Sequence, residues 1–228
     1  MQRTKRLPSD LWVVLPGHNE EGNLAPVLKR IKRYTKNIVF VDDGSTDDTY
    51  QVALDSGVTV LRHITNLGKG AALKTGCDHA VKTGAERIVV MDSDGQHDPD
   101  ELHLFVEKLE AGRDVVVGCR KWNNDMPFVM KLGNFGLHKI SSLFFAVDIP
   151  DTQSGYRAFT AQAYDKIRWD ATDYAMESEM IARIHKHHLD YATIRIKTIY
   201  HDDYKGTTVL NGIKIATNML LWKVFGLS

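Results

Sequence analysis

Short apolar runs that stop abruptly on polar, glycine-bearing loops recur through the first half of this chain, and that recurrence restricts the fold more than any other feature. Leu11–Leu15 runs into Pro16-Gly17-His18-Asn19-Glu20, Asn37–Val41 into Asp42-Asp43-Gly44-Ser45-Thr46-Asp47, and Ile88–Met91 into Asp92-Ser93-Asp94-Gly95-Gln96-His97. Between them the apolar spacing becomes helical. Leu24, Val27, Leu28 and Ile31 share one face of a helix predicted over about Glu21–Tyr34, with Pro26 near its tolerant first turn. Ser45 or Thr46 is placed to cap a helix carrying Tyr50, Val52, Ala53 and Leu54, before a strand over Val58–Leu61. A small-residue helix opens at Asn66-Leu67-Gly68-Lys69-Gly70 and runs through Val81, and another covers about Asp98–Glu110. Brief continuous apolar runs are how doubly buried parallel strands read. Their alternation with helices predicts an α/β fold, a Rossmann-like, mainly parallel sheet flanked by helices.

Asp114–Gly118 is one more such strand, ending at Cys119-Arg120; beyond it the pattern changes. Met126–Val147 reads as an apolar helix, followed by the polar turn Asp151-Thr152-Gln153-Ser154-Gly155-Tyr156-Arg157 and a short strand near Ala158. Helices near Ala161–Ile167 and Ala175–His187, a strand over Tyr191–Tyr200 and an amphipathic helix over Val209–Phe225 close the chain. The expected division is one domain, 1–208, and a C-terminal amphipathic helix, 209–228. His185, His187 and His188 end a predicted helix, where they compensate its dipole.

Composition removes some classes of function. Lys+Arg and Asp+Glu both number 29, so no basic field draws the chain to nucleic acid. Cys77 and Cys119 have no metal-like spacing and read as buried thiols in a reducing compartment. The basic start, Met1–Asp10, has no apolar core of a signal peptide, and no run approaches the length of a membrane span. Gly68-Lys69-Gly70 lacks the full phosphate-loop spacing.

In an open parallel sheet, ligands sit beyond the carboxyl ends of the strands. Five carboxylates (Glu20, Asp42, Asp43, Asp92 and Asp94) converging there would repel unless a cation or donor groups compensate. Asp92 and Asp94, spaced i, i+2 with the amide of Gln96 beyond a sharp Gly95 turn, suit a hard divalent cation, Mg²⁺ or Mn²⁺. A base and ribose would satisfy the first two loops, and a diphosphate carried on the cation the third. The plainer alternative is three unrelated helix caps.

Four of these motifs in this order resemble the series of glycosyltransferase family 2: Leu15–Glu21, Val41–Asp47, Asn66–Gly70 and Asp92–His97. Asp151–Arg157 resembles the polyprenyl-phosphate (dolichyl-phosphate) sugar synthases within it, and the likeness spans about residues 11–208. The resemblance implies a GT-A fold, a nucleotide-sugar donor, a divalent metal and inversion at the anomeric carbon. It also implies roles for residues. Pro16, His18 and Glu20 would line the nucleoside, and Asp43 the base, with Val41 and Asp42 beside it. Lys69 and Ser93 would join the nucleotide-sugar contacts, while Asp92, Asp94 and Gln96 would hold the metal. Arg120 and Arg157 would face the acceptor phosphate. One departure stands out: where the family often reads Arg-x-x-Gly-x-Ser-Lys, this chain has Asp203-Tyr204-Lys205-Gly206-Thr207-Thr208-Val209, so that Lys205 is left to supply charge to the acceptor.

The acceptor decides the chemistry expected of Asp94, Arg120, Asp151 and Arg157. A phosphate monoester is already largely dianionic at neutral pH and needs cations to hold it; a sugar hydroxyl needs a base, for which Asp151 is the candidate. The expectation is a metal-dependent inverting enzyme moving mannose, glucose or N-acetylglucosamine from a UDP- or GDP-sugar to dolichyl or polyprenyl phosphate, peripheral at the cytoplasmic face of a membrane. Val209–Phe225 and Met126–Val147 would meet that membrane surface, or pack on the chain's own core or on a homodimer partner. The alternatives are a transferase with a hydroxyl acceptor and a non-catalytic nucleotide-binding or signalling module.

Overall fold

The computed structural model describes residues 7–120, 128–197, 199, 214 and 216–222, the side chains of 128–135 excepted. A seven-stranded sheet crosses the molecule. Strands β1 (Leu11–Gly17), β2 (Ile38–Asp42), β3 (Thr59–Arg62) and β4 (Arg87–Val90) lie parallel in the order β3-β2-β1-β4. Beyond β4 the sheet continues through β6 (Arg157–Thr160) to β5 (Val115–Arg120) and β7 (Tyr191–Ile196). β6 runs antiparallel to both of its neighbours, whereas β5 and β7 are parallel.

Helices cover both faces. On one, α1 (Leu24–Ile31), α2 (Thr49–Asp55) and α4 (Leu102–Glu110) bury Leu24, Leu28, Ile31, Ala53, Leu102 and Phe105 against Val13, Leu15, Phe40 and Val89. On the other lie α3 (Lys69–Lys82), α5 (Phe128–Phe145), α6 (Ala161–Ile167) and α7 (Met176–Lys186), packed on Val14, Val39, Val41, Val90 and Val117. The small residues of α3 set its distance from the sheet: a Cβ on Gly76 would stand 2.4 Å from Val14 Cγ1. Side chains alternate across a strand, so each strand feeds both cores.

Two local details depart from the sequence expectations, and a third settles between its alternatives. Neither Ser45 nor Thr46 caps α2, which starts at Thr49, where Asp47 Oδ1 accepts from the Thr49 N–H. β7 ends at Ile196 because the next residues turn away: Lys197 N–H donates to both oxygens of Glu101, and Ile199 N–H to the Gln96 carbonyl. The helical stretch at 216–222 buries Met219 in the main core, with Ala216 and Trp222 packed against it and Leu220 and Leu221 half exposed. Among the described residues no helix is long and apolar enough to cross a membrane.

Candidate active site

Parallel strands end on the same edge, and at the ends of β1, β2 and β4 the sheet opens into a cleft of about 470 Å³. Pro16, Gly17, His18, Asn19 and Glu20 line it from β1, Asp43 from β2, and Asp92, Ser93 and Asp94 from β4. Asn66, Gly68 and Lys69 enter from the start of α3, and Asp173 and Tyr174 from the loop before α7.

Much of the motif chemistry goes into holding these loops to one another. Ser45 Oγ accepts from the Asn19 N–H, Thr49 Oγ1 from the Glu20 N–H, and Asp47 from the Glu21 N–H. In return Asn19 Oδ1 accepts from the Thr46 N–H, and Glu21 from the Asp48 N–H. Asn19 sits at φ +57, a left-handed conformation that asparagine tolerates better than most residues. His18 donates from Nδ1 to the Asp43 carbonyl at 3.0 Å. The Asp43 carboxylate accepts from the N–H groups of Leu67 and Gly68 and from His63 Nδ1, whose Nε2 faces Thr75 Oγ1. Gly68 has φ +99, and a Cβ there would lie 2.4 Å from the Thr172 carbonyl oxygen. Glycine is therefore needed where this loop meets the one carrying Asp173 and Tyr174.

Three charges meet at the floor, Glu177 buried and Lys69 and Asp92 partly so. Lys69 Nζ lies 2.7 Å from Asp92 Oδ1 and 3.1 Å from Glu177 Oε1. Burial opposes charge on Lys69 and on Asp92. For Lys69 the two carboxylates outweigh it and raise its pKa, and for Asp92 the ammonium outweighs it and keeps the carboxyl below its usual range. Asp94 has no such partner: burial and the charge of Asp92 push it up to about 6, although its Oδ1 accepts from the Gln96 N–H. His97, buried and stacked on Tyr156, is pushed down to about 4 by burial. Its Nδ1 accepts from the Asp92 N–H, so the neutral ring carries its proton on Nε2.

This donor set fits a divalent cation. Among the described residues no three His, Cys, Asp or Glu side chains close around a metal position. A Mg²⁺ or Mn²⁺ site commonly takes only one or two carboxylates and completes its shell with water and phosphate oxygens. The raised Asp94 beside charged Asp92 is what such a pair looks like before a cation compensates it. Asp92 and Asp94 are the residues that would hold one.

Other expected residues stand elsewhere. Val41 and Asp42 are fully buried and do not line the cleft; Asp42 accepts from the Ser45 N–H and pairs with Arg62, 2.9 Å away. Gln96 is engaged through its backbone, not as a cleft-lining side chain. Arg157 does not line the cleft. It is fully buried, and its guanidinium donates to the carbonyls of Thr152, Ser154 and Glu177, an enclosure set by α7 packing over the turn. Asp151, 1% exposed, is held by both arms of Arg120 at 2.7 and 2.9 Å, which occupies the carboxylate proposed as a base. Lys205 lies outside the described residues. Sequence reasoning gave no role to Asn19 and Asn66, although their places in its motifs were the available signal, and it missed Asp173, Tyr174 and Glu177.

Residues 12–168 match the profile of the family described as glycosyl transferase family 2. The chain is 39% identical over 226 residues to an uncharacterised protein of Methanocaldococcus jannaschii, covering 95% of this chain and 93% of that one. It is 31% identical over 243 residues to the UDP-N-acetylglucosamine–dolichyl-phosphate N-acetylglucosaminyltransferase of Methanococcus voltae, covering 94% and 96%. The glucosyl-3-phosphoglycerate synthase of Mycobacterium tuberculosis, solved with Mn²⁺, uridine diphosphate and phosphoglyceric acid, superposes with a TM-score of 0.71 at 20% identity, over 93% of this chain and 78% of that one. This chain belongs to glycosyltransferase family 2. It has a GT-A-type fold and is a glycosyltransferase.

Proposed function

We propose that this enzyme transfers a sugar from a UDP- or GDP-linked donor to the phosphate of a dolichyl or polyprenyl lipid, at the cytoplasmic face of a membrane. The observation that carries the reading is the convergence of the His18–Glu20 loop, Asp43, Lys69 and the Asp92–Asp94 pair in one cleft at the sheet edge. The relationship to the M. voltae transferase, over nearly the whole of both chains, makes UDP-N-acetylglucosamine the first donor to test, ahead of glucose and mannose donors.

In this reading Pro16, His18 and Glu20 line the nucleoside, and Asp92 and Asp94 hold Mg²⁺ or Mn²⁺ at the diphosphate. A cation bound there supplies Lewis-acid neutralisation of the departing diphosphate. Lys69 adds a fixed positive charge in a water-poor setting, where it acts more strongly than in bulk solvent. The acceptor arrives as a dianion and needs no proton removed, which agrees with a site whose one expected base, Asp151, is locked to Arg120. Leu143 on α5 and Leu220 and Leu221 in the 216–222 stretch are exposed apolar side chains on elements packed on the same core, and they support contact with a membrane surface.

The test is incubation of the full chain with each labelled nucleotide sugar, Mn²⁺ and polyprenyl phosphate, followed by lipid extraction. Label should enter the lipid phase for one donor and fall by about 100-fold or more in Asp94→Asn, the scale seen when an electrostatic contributor to catalysis is removed. Label that stays in water for every donor would refute the lipid acceptor. Transfer to an added glycan instead would establish a hydroxyl acceptor.

A further inference from the structure

Lys69 is shared unequally. Its ammonium is 2.7 Å from Asp92 and 3.1 Å from Glu177, and Glu177 keeps its second oxygen, Oε2, buried with no hydrogen-bond partner. Glu177 is 2% exposed and its backbone carbonyl is fixed by Arg157, so this idle oxygen belongs to a residue set firmly in the first turn of α7. Buried polar atoms are nearly always paired, and an exception calls for a reason.

Asp92 cannot serve the ammonium and a divalent cation equally. In the structure Lys69 does for Asp92 what a cation would do, neutralising it. A cation arriving at Asp92 would therefore leave a largely enclosed ammonium short of a partner, a costly state unless another anion takes it over. An ammonium has three hydrogens, so it can close on both oxygens of one carboxylate while still facing a third group. The space beside the pair is clear because residue 155 is glycine: a Cβ there would lie 2.7 Å from Lys69 Nζ and 2.9 Å from Asp92 Oδ2.

We infer that Glu177 is a positioning residue that takes Lys69 over from Asp92 when the cation and diphosphate bind, its unpartnered oxygen receiving the hydrogen that Asp92 gives up. Cation entry is then an exchange of partners, and the ammonium stays on the cleft wall beside the diphosphate. This rests on the reading of Asp92 and Asp94 as the cation site.

The experiment is a double-mutant cycle on Mn²⁺ affinity in the presence of UDP, read from the electron paramagnetic resonance signal of free Mn²⁺. It uses the full chain as wild type, Glu177→Gln, Lys69→Gln and the double variant. Glu177→Gln should weaken Mn²⁺ binding about tenfold, because Lys69 then leans on Asp92 alone, and the penalty should vanish in the Lys69→Gln background. Glu177→Asp, which keeps the charge but withdraws the oxygens, should fall between, and it replaces Glu177→Gln in the cycle if that variant does not fold. An equal penalty in both backgrounds, or none in either, overturns the exchange. Absence of Mn²⁺ binding by the wild type removes the cation site itself and the inference with it, a failure visible before any variant is compared.

Discussion

Arg157 shows how much a single side chain's surroundings decide. Its guanidinium reaches the carbonyls of Thr152, Ser154 and Glu177 at 2.7–2.9 Å, tying the turn before β6 to the start of α7. Burial depresses its pKa, and the carboxylates of Glu177 and Asp151 only partly offset that. A lysine has no planar fork with which to span three carbonyls. Arg157→Lys should therefore lower stability by about 3 kcal/mol, the scale of a disrupted buried charge network, and thermal melts without nucleotide should show the loss. A role limited to the acceptor would leave the apo melting temperature unchanged. In the sequence, Ser154-Gly155-Tyr156-Arg157 reads as an exposed polar turn, and nothing local says that a helix twenty residues later will close over it. Glu177 escaped for the same reason: it meets Lys69 only after α3 and α7 have packed.

Among the elements, strands were the most legible. Leu11–Leu15, Asn37–Val41 and Ile88–Met91 are apolar runs with no competing periodicity, and all three became neighbours at the centre of the sheet. Helix α5 was found for its long apolar run, and α2 was placed correctly though its cap was misassigned. The misassignment is physical: Ser45 and Thr46 hydroxyls serve the neighbouring loop, Ser45 accepting from Asn19 N–H and Thr46 lying 3.4 Å from Asn19 Oδ1. Thr49 belongs to the same stitching. It is fully buried, and its Oγ1 accepts from the Glu20 N–H at 2.7 Å. Thr49→Val keeps the shape but strands that donor, and it should cost about 1–3 kcal/mol in denaturant unfolding. Because the stranded group belongs to a cleft-lining loop, UDP affinity should weaken in the same variant.

At the scale of the whole molecule, the Asp78–Arg168 ion pair is among those that tie the two halves of the chain together. Asp78 on α3 accepts from Arg168 through both oxygens, at 2.9 and 2.7 Å, and from the Tyr164 hydroxyl of α6 at 2.8 Å. The Arg168 hydrogen bond, chiefly, holds the Asp78 carboxyl below its ordinary 3.8. A depressed carboxyl contributes stability above its unfolded value and loses it as pH falls through the folded one. The melting-temperature gap between wild type and Asp78→Asn should therefore be full at about pH 6 and shrink below about pH 4. A gap that widened in acid would reverse the assignment.

The reversal of β6 has a consequence for how this architecture admits variety. Had that strand run with its neighbours, the segment entering it would start at the far rim, about 13 Å away for four residues. Running the other way, it brings the Asp151–Tyr156 turn to the rim where β4 ends, with Gly155 beside Lys69 and Asp92. Insertions or exchanges in that stretch would reshape the ground beside the Lys69–Asp92 pair without shifting the register of any parallel pair.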